Sequence, residues 1–108
     1  MPRLDLHRLG EERSIAMHRV VAERLLADGG VLTAARERVK SWMESGVVHR
    51  AYAEAWWHLL SASPAEIAAA LVDTGEEARA LRQTSPFAGV LDARTRWQIH
   101  REVRRSSE

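Results

Sequence analysis

The segment LRQTSPFAGVLDARTRW, Leu81 to Trp97, decides how the rest of the chain is read. Leu81 closes one helical pattern, and Ser85-Pro86 stops it, because a residue that precedes proline is pushed out of the α region. Phe87, the only phenylalanine, then forms an apolar run with Val90 and Leu91 around Gly89. A surface connection does not normally carry that much apolar area. Either this loop folds back and plugs the core, or it offers an anchor to a partner.

Downstream of the loop, Asp92 caps a last helix that runs to about Arg104, with Trp97 and Val103 expected inward and residues 106–108 frayed. Upstream, Thr74-Gly75-Glu76-Glu77 has the form of a capping box and starts a short helix through Ala78 and Leu81. Ser63-Pro64-Ala65-Glu66 is a second such box, with proline in the first helical position. It opens a helix carrying Ile67, Ala70 and Leu71. A helix over about 48–60 places Tyr52, Ala55, Trp56, Leu59 and Leu60 in register. Trp57 lies about 100° round from Trp56, so one of the two is an edge residue.

A helix over about 31–45 aligns Leu32, Ala35, Val39, Trp42 and Met43, with Gly46 as its stop. Residues 4–27 read as one long helix through Leu9, Ile15, Val20, Val21, Leu25 and Leu26. Arg8–Glu12 and Arg19–Glu23 are placed to pair along its exposed side, and Asp28-Gly29-Gly30 is its expected end. No period-two run of β-branched residues competes with these helices. The expected architecture is all-α: one domain, residues 1–108, a compact bundle of five to six helices joined by short turns. Trp42, Trp56 and Trp97 are its expected core anchors.

Composition narrows the chemistry. With 45% hydrophobic and 29% charged residues the chain is ordinary globular material rather than disordered. The absence of cysteine removes disulfides, thiolate catalysis and cysteine-ligated zinc. No apolar run approaches the roughly 20 residues needed to span a bilayer, and MPRLDLHRLGEERS has no signal-like apolar core, so the expectation is a soluble, cytoplasmic protein. None of the five histidines has a partner at metal-ligand helical spacing, and no serine sits in an elbow of glycines. Gly29-Gly30 is not followed by the lysine–serine pair of a phosphate loop. No cofactor, metal or catalytic residue is therefore expected, and the chain reads as a non-enzyme.

Charge is the remaining signal. The formal net charge is only +1, yet residues 79–105 hold seven arginines against Asp92 and Glu102. A basic end on a near-neutral chain suits an acidic protein surface or a phosphate backbone. Arg94, Arg101, Arg104 and Arg105 are the candidate nucleic-acid contacts. A helix-turn-helix is disfavoured, because residues 84–91 are too long and too apolar for its turn.

The motifs also carry a resemblance. RL-x-x-ERS-x-A-x-HR-x-VAERL (Arg8 to Leu25), ARERV-x-x-W (Ala35 to Trp42) and LRQ-x-SPFAGVL (Leu81 to Leu91), followed by R-x-RW, span nearly the whole chain. In this order they resemble a group of small bacterial helical proteins encoded beside a nucleotidyltransferase-fold protein in a toxin–antitoxin-like arrangement. The resemblance implies an antitoxin-like partner that neutralises or regulates the nucleotidyltransferase-fold toxin. The alternative is a nucleic-acid-binding regulator that uses the arginine-rich last helix. For a protein partner the expected contact residues are Pro86, Phe87, Val90 and Leu91 as apolar anchor, with Arg82 and Arg94 as rim.

Overall fold

Val21, Ala22 and Leu25 face inward from the first helix, and everything else is laid around that stripe. The computed structural model describes residues 6–106. Six helices follow in order: α1 Leu6–Ala27, α2 Gly29–Ser45, α3 Arg50–Leu59, α4 Pro64–Leu71, α5 Glu76–Arg82 and α6 Ala93–Ser106. There is no strand among the described residues, so the all-α bundle is observed as expected. No helix among them is long and apolar enough to cross a membrane. The central helix is α1, which packs most extensively on α4, then on α6, and touches α2 and α5, while α2 packs on α3. Ala22 and Ala68 are both buried, and residues that small let the axes of α1 and α4 approach closely. Arg79 Nε reaches Glu11 Oε1 at 3.1 Å and ties α5 to α1.

The helix ends show which local signals acted. Gly46 terminates α2 at φ 72°, the left-handed conformation that glycine takes without a Cβ clash, and its N–H donates to Trp42 O at 2.9 Å. Ser63 Oγ accepts from Glu66 N and Pro64 occupies the first turn of α4. Asp92 Oδ1 accepts from Thr95 N at 2.7 Å at the start of α6.

Helix α1 ends at Ala27 as expected, but two of the expected end signals act differently. Asp28-Gly29-Gly30 is not a glycine stop: both glycines are helical, and Asp28, extended at φ −139°, is the N-cap of α2 through Gly30 N. A Cβ on Gly30 would stand 3.1 Å from Asp28 Oδ1, so the glycine there makes room for the cap. At α5, Gly75 is the N-cap without any side-chain bond, and Asp73 Oδ1 rather than Thr74 takes the Gly75 N–H at 2.7 Å. Helix α3 starts later than expected, at Arg50, with His49 Nδ1 accepting from Ala51 N. Helix α6 runs on to Ser106. The start of the long first helix at residue 4 lies outside the described residues. Arg8 pairs with Glu12 as expected, but no Arg19–Glu23 ion pair forms among the described residues.

The tryptophans divide. Trp56 is 1% exposed and anchors the core, Trp42 packs half-buried at its margin, and Trp57 is the exposed edge residue of the pair. Trp97 is the main correction: at 64% exposure it points outward, and Ile99 with Val103 forms the inner stripe of α6. Trp97 lies about 160° round the helix from Ile99, so only one of them can face α1. Tyr52, Met43 and Leu26 are likewise outside the core, and Ile15 is only half-buried.

These placements separate two mutants of the same kind. Trp56→Ala is expected to lose about 3–5 kcal/mol of unfolding free energy. Trp97→Ala is expected to stay within about 0.5 kcal/mol of the parent. Urea melts of the two variants check both values, and an equal loss in both would refute the burial assignment.

Candidate functional site

The connection between α5 and α6 is built into the core. Phe87 is 4% exposed and meets the Trp56 ring edge-on, with centroids 5.9 Å apart at 73°. Pro86 and Leu91 are buried with it, and Val90 is half-buried. The chain reverses through a turn in which Val90 N donates to Phe87 O at 3.2 Å. Gly89, at φ 90°, fills the position where a type II turn requires positive φ. Of the two roles open to this loop, the structure fills that of the core plug. Phe87, Pro86 and Leu91, expected as a partner's anchor, are buried rather than exposed.

Distant arginines take carbonyl groups of this loop, a part-buried one at Val90 and an exposed one at Ala88. Arg24 Nη1 donates to Val90 O at 2.6 Å, and Arg38 Nη1 donates to Ala88 O at 3.0 Å. Arg36 reaches Leu60 O through Nε at 2.9 Å and Nη2 at 2.6 Å, closing the end of α3. Arg82, expected as an interface rim, is instead 6% exposed. Its Nη1 donates to Leu71 O at 3.2 Å and Asp73 O at 2.6 Å and pins the α4–α5 turn. Trp56 Nε1 adds a bond to Leu81 O at 3.2 Å.

A serine–histidine pair fastens the loop to α1. His18 Nδ1 lies 2.7 Å from Ser14 O, and His18 Nε2 lies 2.9 Å from Ser85 Oγ. A carbonyl only accepts, so Nδ1 carries the proton and Nε2 accepts from the serine hydroxyl. Ser85 Oγ in turn accepts from Phe87 N at 3.2 Å. The hydroxyl is thus engaged on both sides, and the pair works as a clip on the loop. Burial pushes the His18 imidazole below its ordinary value of 6.5; the Ser14 carbonyl opposes this and Arg82 adds to it. His100, half-buried on α6, is also lowered, by burial first and then by Arg13 and Arg96. No group of three metal-ligating side chains occurs among the described residues.

The outer face of α6 is the opposite kind of surface. Arg94, Trp97, Arg101, Arg104 and Arg105 follow one another at intervals of three, four, three and one, which places them on one side of the helix. All five are exposed, and they turn away from Ile99 and Val103. Among the described residues none of these four arginines makes an ion pair or a side-chain hydrogen bond. Asp92, at the head of the helix, is held below its ordinary carboxylate range chiefly by its hydrogen bonds with Thr95, with Arg24 and Arg94 contributing. The candidate nucleic-acid residues therefore lie together, and the sequence reading missed the tryptophan in their midst. The spacing of Ile99 and Val103 was the signal that could have found it.

Scans against protein-family models, curated proteins and solved structures find no match to this chain.

The two lowered histidines make stability depend on pH. Both have folded-state pKa values below the unfolded value, so the unfolded chain binds more protons as pH falls through 6.5. Stability is expected to be full above that pH and to decline below it. Urea melts at about pH 7.5 and pH 5.5 measure the decline. His18→Gln is expected to flatten part of it, and an unchanged slope in that variant would contradict the role given to the clip.

Proposed function

We propose that this chain is a non-enzymatic binding protein whose working surface is the outer face of α6 and whose partner there is nucleic acid. The observation that supports this is the group of four arginines, without an ion pair among the described residues, around an exposed Trp97. Arginine is charged at any physiological pH and presents a fork of donors suited to phosphate oxygens. Neutralising phosphates releases condensed counterions, which gives a near-neutral protein affinity through one local patch. The binding mode is not of helix-turn-helix form, since ten residues separate α5 from α6.

A protein partner is the competing occupant of the same face, because tryptophan and arginine also dominate protein hot spots. The antitoxin-like role, with a nucleotidyltransferase-fold toxin as partner, belongs here. With Phe87 buried, the exposed Trp97 would be its anchor on this face. The balance of charge favours the polyanion: protein interface cores are depleted in charged residues, and this face has four arginines to one apolar side chain.

Fluorescence anisotropy with labelled RNA and DNA across a salt series tests the proposal. Binding is expected to weaken steeply with salt. Arg101→Ser with Arg104→Ser is expected to reduce the log–log slope by about 0.7 to 0.9 for each phosphate that is no longer neutralised. Absence of binding at low salt, together with co-purification of a neighbouring nucleotidyltransferase that Trp97→Ala abolishes, would give the face to a protein partner instead.

A further inference from the structure

We infer that the nucleic acid held on α6 is single-stranded and that Trp97 is its base-stacking platform, an inference that rests on the nucleic-acid reading of this face. The reason lies in what an indole can and cannot do. In a duplex the faces of the bases are stacked on one another, and only their edges are open in the grooves. Reading edges takes donor and acceptor groups, whereas the indole has one N–H donor and no acceptor. A bulky ring at 64% exposure in the middle of the arginine face would add little to duplex binding. An unpaired strand offers what the ring fits: a free base face, on which an aromatic side chain stacks with little regard to sequence.

The surrounding charges fit the same ligand. Arg94 lies about 4.5 Å before Trp97 along the helix axis and Arg101 about 6 Å after it, with Arg104 and Arg105 a turn further on. Cations thus stand on both sides of the ring. A base lying on Trp97 would have its flanking phosphates carried toward guanidinium groups in either direction along the strand. Gln98 borders the same face and supplies amide donor and acceptor groups for a base edge. The core face of α6 rests on α1, so the helix is a fixed rail for the strand.

The test compares single-stranded RNA and DNA of about twelve nucleotides, a duplex of the same sequence and a strand carrying abasic sites, by anisotropy at low salt. The parent protein is expected to prefer single strands and to lose affinity for the abasic strand. Trp97→Ala is expected to weaken single-strand binding between about fivefold and a hundredfold while leaving duplex binding unchanged, and Trp97→Phe to keep most of the affinity. The RNA and DNA arms show which backbone is preferred. Equal effects of Trp97→Ala on duplex and single strand, or none on either, would overturn the stacking inference and leave the arginine–phosphate reading standing. Failure of every strand to bind at low salt would overturn both. Because Trp97 is exposed, a melting curve matching the parent shows that a change in binding is not a change in folding.

Discussion

Phe87 against Trp56 is the contact from which the rest of the arrangement follows. It draws a loop off the surface and into the core against α3. Burying a phenylalanine beside a tryptophan contributes roughly 2–3 kcal/mol of transfer free energy, with the edge-on geometry adding to it. That gain comes with a cost, because the loop's carbonyl groups leave water with it. Arg24 answers that cost at the part-buried carbonyl of Val90, 66 residues away, and Arg38 adds a tie at the exposed carbonyl of Ala88, 50 residues away. Their guanidinium groups remain near solvent while their N–H groups serve the loop backbone. The Ser85–His18 clip completes the attachment at the other end of the loop.

This use of arginine sorts many of the basic residues into three groups. Arg24, Arg36, Arg38 and Arg82 each donate to backbone carbonyls and act as internal fasteners. Arg8, Arg50 and Arg79 meet carboxylates. On the outer side of α6 no such engagement occurs among the described residues. The excess of positive charge toward the end of the sequence is therefore narrower in space than in sequence. Arg79 and Arg82 belong to the frame, and the arginines of the outer α6 face begin at Arg94. Placing the loop in the core also moves the candidate binding surface away from Phe87, and on α6 the exposed apolar side chain is Trp97.

What could be read from the sequence was what is decided locally. Ser63-Pro64, Gly46 and Asp92 act within a turn of themselves, and each sits at the helix end where spacing placed it. Asp28-Gly29-Gly30 carries a helix-stop signal and a helix-start signal in one tripeptide. The aspartate cap prevailed because the chain needed only one extended residue to turn from α1 into α2. The bulk of Trp97 argues for an inward place, although Ile99 and Val103 already define a stripe that excludes it. The His18–Ser85 clip joins residues 67 apart, and the carbonyls taken by Arg24 and Arg38 are backbone atoms that every residue possesses. No pattern in one sequence distinguishes such partners, so the loop's plug and anchor roles could be stated as alternatives but not chosen between.

The central claim is that the buried loop holds the frame and the outer face of α6 does the binding. An NMR titration of the intact chain with a short single strand tests it most directly, because the four tryptophan indole N–H signals report on separate places. The account predicts that the Trp97 indole and the amides of Arg94 to Arg105 shift together, while the Trp56 indole and the amides of Ser85 to Leu91 stay in place. Shifts centred on Trp56 and the Ser85–Leu91 loop, with α6 unmoved, would contradict it.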